Sequence, residues 1–260
     1  MSAQPGSDSP KPGWWQSWDG LWYAPRPGCD CDQLAEAQRE LAFHVEPQDT
    51  EGEVWNILLQ LIDDAVADGR ERFSPGADIP VHLWPEIVTL PAAISKLTAV
   101  RELDLYGSHL IAVPPEIGEM SSLRSFDPYT SRRLHWLPYE ITKCPDLTDS
   151  RVSTRHLYGN YKDRLPFPRL AAKLPAGSVP RKCSVCDGPF PAGGPIQRWI
   201  SLWVATDVLP LLVHACSDRC IDALPHPPGE APAGWGLSPF EYVDHAHEGG
   251  RELQQPAGAY

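Results

Sequence analysis

Hydrophobic positions follow two spacings along the chain, and each predicts a different kind of element. Between residues 50 and 69, Val54, Leu58, Leu61, Ile62 and Ala65 recur at three- and four-residue steps opposite Glu51, Gln60 and Asp63. That spacing predicts an amphipathic helix with one face against a core. Thr50 and Glu53 have capping-box spacing, and Gly69 can end the helix. A shorter helix is expected from Asp32 to about Phe43. From Ile79 to Leu90, the apolar Ile79, Val81, Leu83 and Ile87 predict an irregular strand or turn, in which His82 is read as a surface or capping histidine.

The second spacing runs from residue 90 to 157, where one phrase is written three times. It appears as LPAAISKLTAVRELDLYGSHL from Leu90, as VPPEIGEMSSLRSFDPYTSRRL from Val113 and as LPYEITKCPDLTDSRVSTRHL from Leu137, with starts 23 and 24 residues apart. Each copy keeps an apolar residue before Pro91, Pro114 or Pro138, then Ile94, Ile117 or Ile141, then Leu97, Met120 or Cys144. A strand-like stretch follows, built on Val100, Leu103 and Leu105, on Leu123, Phe126 and Pro128, and on Leu147, Ser150 and Val152. A period of this length belongs to stacked repeats rather than to a closed domain.

The phrase resembles the leucine-rich-repeat family. The resemblance implies that each copy gives one short parallel strand to a concave sheet and a turn or short helix to the convex side, and that the module binds a protein. Where the family places Asn at the strand end, this chain has Ser108, Ser131 and Arg155, and Pro128 occupies an apolar strand slot without an N–H to donate. Alternation along a strand puts Glu102, Asp104 and Tyr106, then Ser125, Asp127 and Tyr129, then Asp149, Arg151 and Ser153 on the concave face as candidate partner-binding residues.

The expected fold class is therefore α/β, a short leucine-rich-repeat solenoid of parallel strands with a helical N-terminal cap and a small C-terminal zinc-binding module. The 29 prolines and 20 glycines among 260 residues concentrate outside the repeats, which favours several small units over one core. The expected division is an arm over 1–31, a helical cap over 32–75, repeats over 76–160, a basic strap over 161–182, the zinc module over 183–224 and a tail over 225–260. The arm carries Trp14, Trp15, Trp18, Trp22 and Tyr23, more aromatics than a disordered tail holds, and is expected to pack on the folded body. Cys29 and Cys31 at its end have no standard metal spacing.

Charge separates the strap from the rest. Eight basic residues stand against Asp163 alone between Arg151 and Lys182, in a chain whose net charge is −12. That balance argues against nucleic-acid binding over the whole surface, and the strap is expected to lie against the acidic body. No apolar stretch has the length of a membrane span and no secretory leader pattern opens the sequence, so a cytoplasmic protein is expected. In a reducing compartment, seven cysteines are thiols or metal ligands rather than a disulfide framework.

The most specific chemistry lies in KCSVCDGPF, with Cys183 and Cys186, and HACSDRC, with Cys216 and Cys220. Two cysteine pairs, the first closed by two residues, can supply four thiolates to one tetrahedral zinc. The intervening QRWISLWVATDVLPLLV has hairpin composition, and Cys216 and Cys220 are expected on one face of a helix's first turn. Knuckle, hairpin and helix resemble the treble-clef zinc fold over about 40 residues, which implies a structural Zn2+; His214 is the rival ligand.

The function expected from these features is non-enzymatic protein–protein interaction with an unidentified protein. Two alternatives stay open. A thiol-dependent enzyme, redox or ligase-type, would use Cys183 or Cys186, and a nucleic-acid binder would use the strap and the finger.

Overall fold

The computed structural model describes residues 44–152 and 179–224 and, beyond them, only short strand segments such as Trp15–Gln16 paired with Trp22–Tyr23. Apart from such segments, the aromatic arm, the helix expected over 32–43, Cys29 and Cys31, residues 153–178 with Ser153, Arg155 and all but the last four residues of the strap, and the tail lie outside the described residues. The described part is mixed α/β. No described helix is long and apolar enough to cross a membrane.

Helix α1 spans Glu53–Asp68 and buries Val54, Leu58, Ile62 and Ala65, four of the five residues that the periodicity selects. Its C-terminus is as expected, with Gly69 left-handed at φ 66° and its N–H donated to the Ala65 carbonyl. The N-terminus differs from the capping box. Gly52 is the N-cap and makes no side-chain bond, while the Asp49 carboxylate accepts the N–H groups of Glu51 and Gly52 from the turn before the helix. A carboxylate there satisfies donors that the Thr50 hydroxyl would otherwise compete for.

Four parallel strands then form one sheet in sequence order: β1 (Arg72–Phe73), β2 (Glu102–Asp104), β3 (Ser125–Asp127) and, after the short β4 (Leu137–Pro138), β5 (Asp149–Ser150). The register keeps the three similar phrases in step. Leu103 faces Phe126, which faces Ser150, and Glu102 faces Ser125, which faces Asp149. The carbonyls of Glu71, Arg101 and Arg124 each accept two successive N–H groups of the next strand at 2.7–3.0 Å. The three prolines before the turns hold nearly one conformation, at φ −72, −71 and −69°, because the ring fixes that angle. Each opens a 3-10 turn, at Ala92–Lys96, Pro115–Glu119 and Tyr139–Lys143, and each turn points a fully buried isoleucine (Ile94, Ile117, Ile141) into the core. Burial of an isoleucine contributes roughly 1.5–3 kcal/mol, so the three form the spine of the stack. α1 packs on the first turn at the N-terminal end, with Lys96 paired to Asp63 at 3.0 Å.

The turns approach closely at Gly118. A Cβ there would lie 2.5 Å from the Glu140 carbonyl oxygen, so only glycine fits between these two segments. Two buried serines tie adjacent strand ends together. Ser108 and Ser131 are 0% and 1% exposed, their hydroxyls lie 2.6 Å apart, and Ser131 Oγ also reaches the Leu105 carbonyl at 3.3 Å. The first strand, Arg72–Phe73, lies outside the sequence period.

Along the opposite edge, residues 44–50 fasten to successive turns. Gln48 accepts the Val88 N–H at 2.8 Å and donates to the Glu86 carbonyl at 3.1 Å. Further on, Arg133 binds the Glu46 carboxylate, and the His44 and His135 rings lie 4.9 Å apart. Burial, then the Arg133 charge, depress His109 to about 4. The same two causes hold His44 below its ordinary value.

The C-terminal part is a hairpin, β6 (Ile196–Val204) and β7 (Asp207–Ala215), followed by the short helix α2 (Asp218–Asp222). The hairpin docks on the end of the stack in two places. β7 pairs in parallel with β4, Leu211 opposite Leu137 and Leu212 opposite Pro138. The hairpin turn closes the edge of the first sheet: Thr206 Oγ1 accepts the Ser150 N–H at 3.1 Å and donates to the Ser150 carbonyl at 2.7 Å, while Ser150 Oγ donates to Asp207 at 2.8 Å. Ser150 fills the slot held by Leu103 and Phe126 in the earlier copies. It is polar because it meets the hairpin rather than another strand.

Candidate metal centre and sheet face

The knuckle at 183–188 is built by backbone bonds. Cys183 N–H donates to the Gly188 carbonyl at 2.8 Å, Asp187 N–H returns to the Cys183 carbonyl at 3.1 Å, and Asp187 takes a left-handed φ of 58°. The knuckle is tied to the end of β7 by Ser184 N–H to the His214 carbonyl at 2.8 Å and His214 N–H to Ser184 Oγ at 3.0 Å. These bonds place Cys183 and Cys186 beside Cys216 and Cys220. Cys216 comes from the strand end, one residue past β7 and two before α2, and Cys220 alone comes from the helix. The expectation that both sit on one helical face is thus corrected: the chain turns at Ser217 to bring their sulfurs together.

The four Sγ atoms lie within 4.8 Å of one another. Cys186–Cys216 and Cys216–Cys220 are each 3.6 Å apart. A tetrahedron with metal–sulfur bonds of about 2.3 Å has sulfur edges of about 3.8 Å, so the donor set fits such an ion. Cys183 is fully buried, Cys220 is buried, Cys216 is intermediate and Cys186 is exposed. Burial raises the Cys183 thiol, but N–H groups of Cys186, Val185 and Cys216 outweigh it and bring the group down to about 7. Cys216 is pushed up to about 12 by its thiol neighbours Cys186 and Cys220. Four crowded sulfurs resist joint ionisation, and a cation is what reverses that resistance. His214 stands apart, with Nε2 at 3.1 Å from the Gln197 side-chain nitrogen.

Where the knuckle meets the last 3-10 turn, Glu140 is 6% exposed. Neither of its carboxylate oxygens makes a hydrogen bond of normal geometry. Burial raises its pKa, and the facing Ser184 hydroxyl moderates the rise without forming a bond of normal geometry. Sequence reasoning missed this group, because the same position in the preceding copy, Glu116, is not buried.

The sheet face carries the predicted columns. Glu102, Ser125 and Asp149 align across the strands, with Ser125 Oγ donating to Asp149 at 2.9 Å. Asp104, Asp127 and Arg151 form the next column. Arg72 reaches Asp104 at 2.7 Å from one end and Arg151 reaches Asp127 at 2.5 Å from the other. Each aspartate also accepts the N–H two residues on, Tyr106 at 3.1 Å and Tyr129 at 3.0 Å, which shapes the strand end. Burial alone would raise Asp104, but the Tyr106 N–H, Arg72 and Ser74 hold it below the usual carboxylate range. Tyr106 and Tyr129 are 45% and 42% exposed with ring centroids 6.0 Å apart, and Arg151 lies over the Tyr129 ring at 5.1 Å.

No protein-family model matches the chain, and no curated protein matches it.

Proposed function

We propose that the chain is a non-enzymatic protein-interaction module. In this reading residues 76–152 form a short leucine-rich-repeat solenoid capped by α1, and residues 183–224 form a treble-clef-like zinc module that closes its C-terminal end. The sheet face, with Glu102, Asp104, Tyr106, Ser125, Asp127, Tyr129, Asp149 and Arg151, meets a protein partner. The observation that carries the proposal is the pair of exposed, adjacent tyrosines on an in-register sheet face, since large rigid aromatics with a polar tip dominate interface energies.

Zinc is the ion that four thiolates in this arrangement favour, and four sulfur ligands leave no open position for a substrate, as in structural sites. Cys183, the most acidic of the sulfurs whose values are resolved, is fully buried and held by backbone donors, which suits a ligand better than an accessible nucleophile. A reducing, cytoplasmic setting accompanies this reading because the ligands must stay thiolates.

Elemental analysis of protein purified under reducing conditions should find one zinc per chain; a zinc-free, folded chain would remove the metal module from the proposal. A folded Tyr106→Ala/Tyr129→Ala variant should lose capture of its cellular protein partner. Full capture by that variant would remove the face.

A further inference from the structure

We infer that the sheet face takes an arginine-bearing, basic, extended segment of its partner, with a guanidinium stacked on the Tyr106–Tyr129 pair. The inference rests on the reading that this face binds protein, and it adds the chemistry of the occupant.

Three observations carry it. The face already holds a guanidinium in the manner proposed: Arg151 lies 5.1 Å over the Tyr129 ring while its Nη2 and Nε bond Asp127 at 2.5 and 3.2 Å. A planar cation thus meets an aromatic face and a carboxylate together, a combination that suits arginine better than lysine. Exposed ring surface remains, since Tyr106 and Tyr129 stay 45% and 42% exposed with Arg151 in place.

The surroundings are also acidic. Between residues 44 and 152 there are eighteen acidic and nine basic residues. On the face itself, Glu102, Asp104, Asp127 and Asp149 stand against Arg72 and Arg151, with Arg124 exposed on the flanking column and Arg101 engaged by Glu71. A field of that sign draws a basic partner and repels an acidic one. Finally, the polar groups in the middle of the face are committed to one another. Asp104 is bonded by Arg72, Ser74 and the Tyr106 N–H, and Asp127 by Arg151 and the Tyr129 N–H. A newcomer therefore gains most from the exposed rings and from the outer carboxylates Glu102, which Arg72 approaches only to 3.7 Å, and Asp149, which accepts a single neutral hydroxyl from Ser125 at 2.9 Å; an extended chain lying across the strands would place successive cations there.

The test uses the full-length, metal-loaded chain and fluorescein-labelled nonapeptides of arginine, lysine or glutamate, followed by anisotropy at physiological ionic strength. The arginine peptide should bind saturably and at least tenfold more tightly than the lysine peptide, and the glutamate peptide should not bind. Tyr106→Ala/Tyr129→Ala should weaken arginine-peptide binding at least tenfold, whereas Tyr106→Phe/Tyr129→Phe, which keeps the rings, should retain it. Equal binding of arginine and lysine peptides, or binding indifferent to the alanine pair, overturns the inference. So does arginine-peptide binding that emerges only after Arg155, Lys162, Arg164, Arg169 and Lys173 are changed to Gln, because the occupant is then the chain's own basic segment. If the peptide fails to bind but the alanine pair still abolishes capture of a cellular partner, the face stands and its chemistry falls. If capture also survives the alanine pair, the reading of the face falls with it.

Discussion

The Ser108–Ser131 pair allows the coupling between adjacent segments to be worked out from donors and acceptors. Each hydroxyl has one proton. Ser131 Oγ has the Leu105 carbonyl at 3.3 Å as an acceptor, so it gives its proton there and Ser108 donates across the 2.6 Å contact. Ser108→Ala then removes a donor but leaves Ser131 bonded to Leu105, a loss of about 0.5–1.5 kcal/mol, the net worth of one neutral hydrogen bond. Ser131→Ala leaves the Ser108 hydroxyl buried without an acceptor, while the Leu105 carbonyl keeps the Ser108 N–H at 3.1 Å. The cost is then the desolvation of an orphaned hydroxyl, about 1–3 kcal/mol. In the double variant no orphan remains, so its loss should fall short of the sum of the singles by about 1 kcal/mol. Urea unfolding of the four proteins, followed by far-ultraviolet circular dichroism and by the fluorescence of the chain's ten tryptophans, buried Trp136 among them, measures all three quantities. Equal costs for the two singles, or strict additivity, would refute the assigned direction of the bond.

Cys183→Ser should unfold residues 183–224 locally and raise hydrogen exchange there while α1 stays protected, because metal binding and folding of so small a module are coupled; protection unchanged at Leu211–Ala215 would contradict this. Glu140→Gln should stabilise the protein in a pH-dependent way. The folded-state pKa is raised by burial, so the wild type is favoured below the unfolded value of about 4.3 and loses that advantage as pH rises through the folded value. The melting-temperature gain of the variant should therefore widen from about pH 4.3 upward, and a gain constant with pH would sink the argument. His109 has the opposite sign. Its folded pKa of about 4 lies below the ordinary 6.5, so the stability it contributes is present above 6.5 and lost as pH falls toward 4. His109→Gln should flatten that part of the acid limb in a pH series of thermal melts, and an unchanged limb would rule the group out.

Local patterns were legible in the sequence, and contacts between distant segments were not. The helical face of Val54, Leu58 and Ile62, the in-register strands at Leu103 and Phe126, and the nearness of the four cysteines all follow from spacing, which is a local property. The strand at Arg72–Phe73 is two residues long and off the period, so nothing in the sequence marks it. Ser150 is polar where the slot holds Leu103 and Phe126 in the preceding segments, and nothing near it in the sequence gives a reason. Its reason lies 56 residues away at Thr206, where the hairpin turn meets it. Glu140 is buried for a similar reason, since the knuckle that covers it comes from residue 184. The face columns were legible from strand alternation, but the commitment of Asp104 and Asp127 to the N–H groups of Tyr106 and Tyr129 depends on how the chain turns after each strand.

The hairpin turn against Ser150 also bears on how the stack could change length over evolutionary time. A segment duplicated at Val113 would meet neighbours of its own kind on both sides, with a turn to stack on below and above and a strand carbonyl to accept its N–H groups. A copy appended after Val152 would find both the N–H and the carbonyl of Ser150 already occupied by the Thr206 hydroxyl. Growth is therefore open in the middle and closed at the C-terminal end, so relatives with longer stacks should carry their extra copies upstream of Leu137.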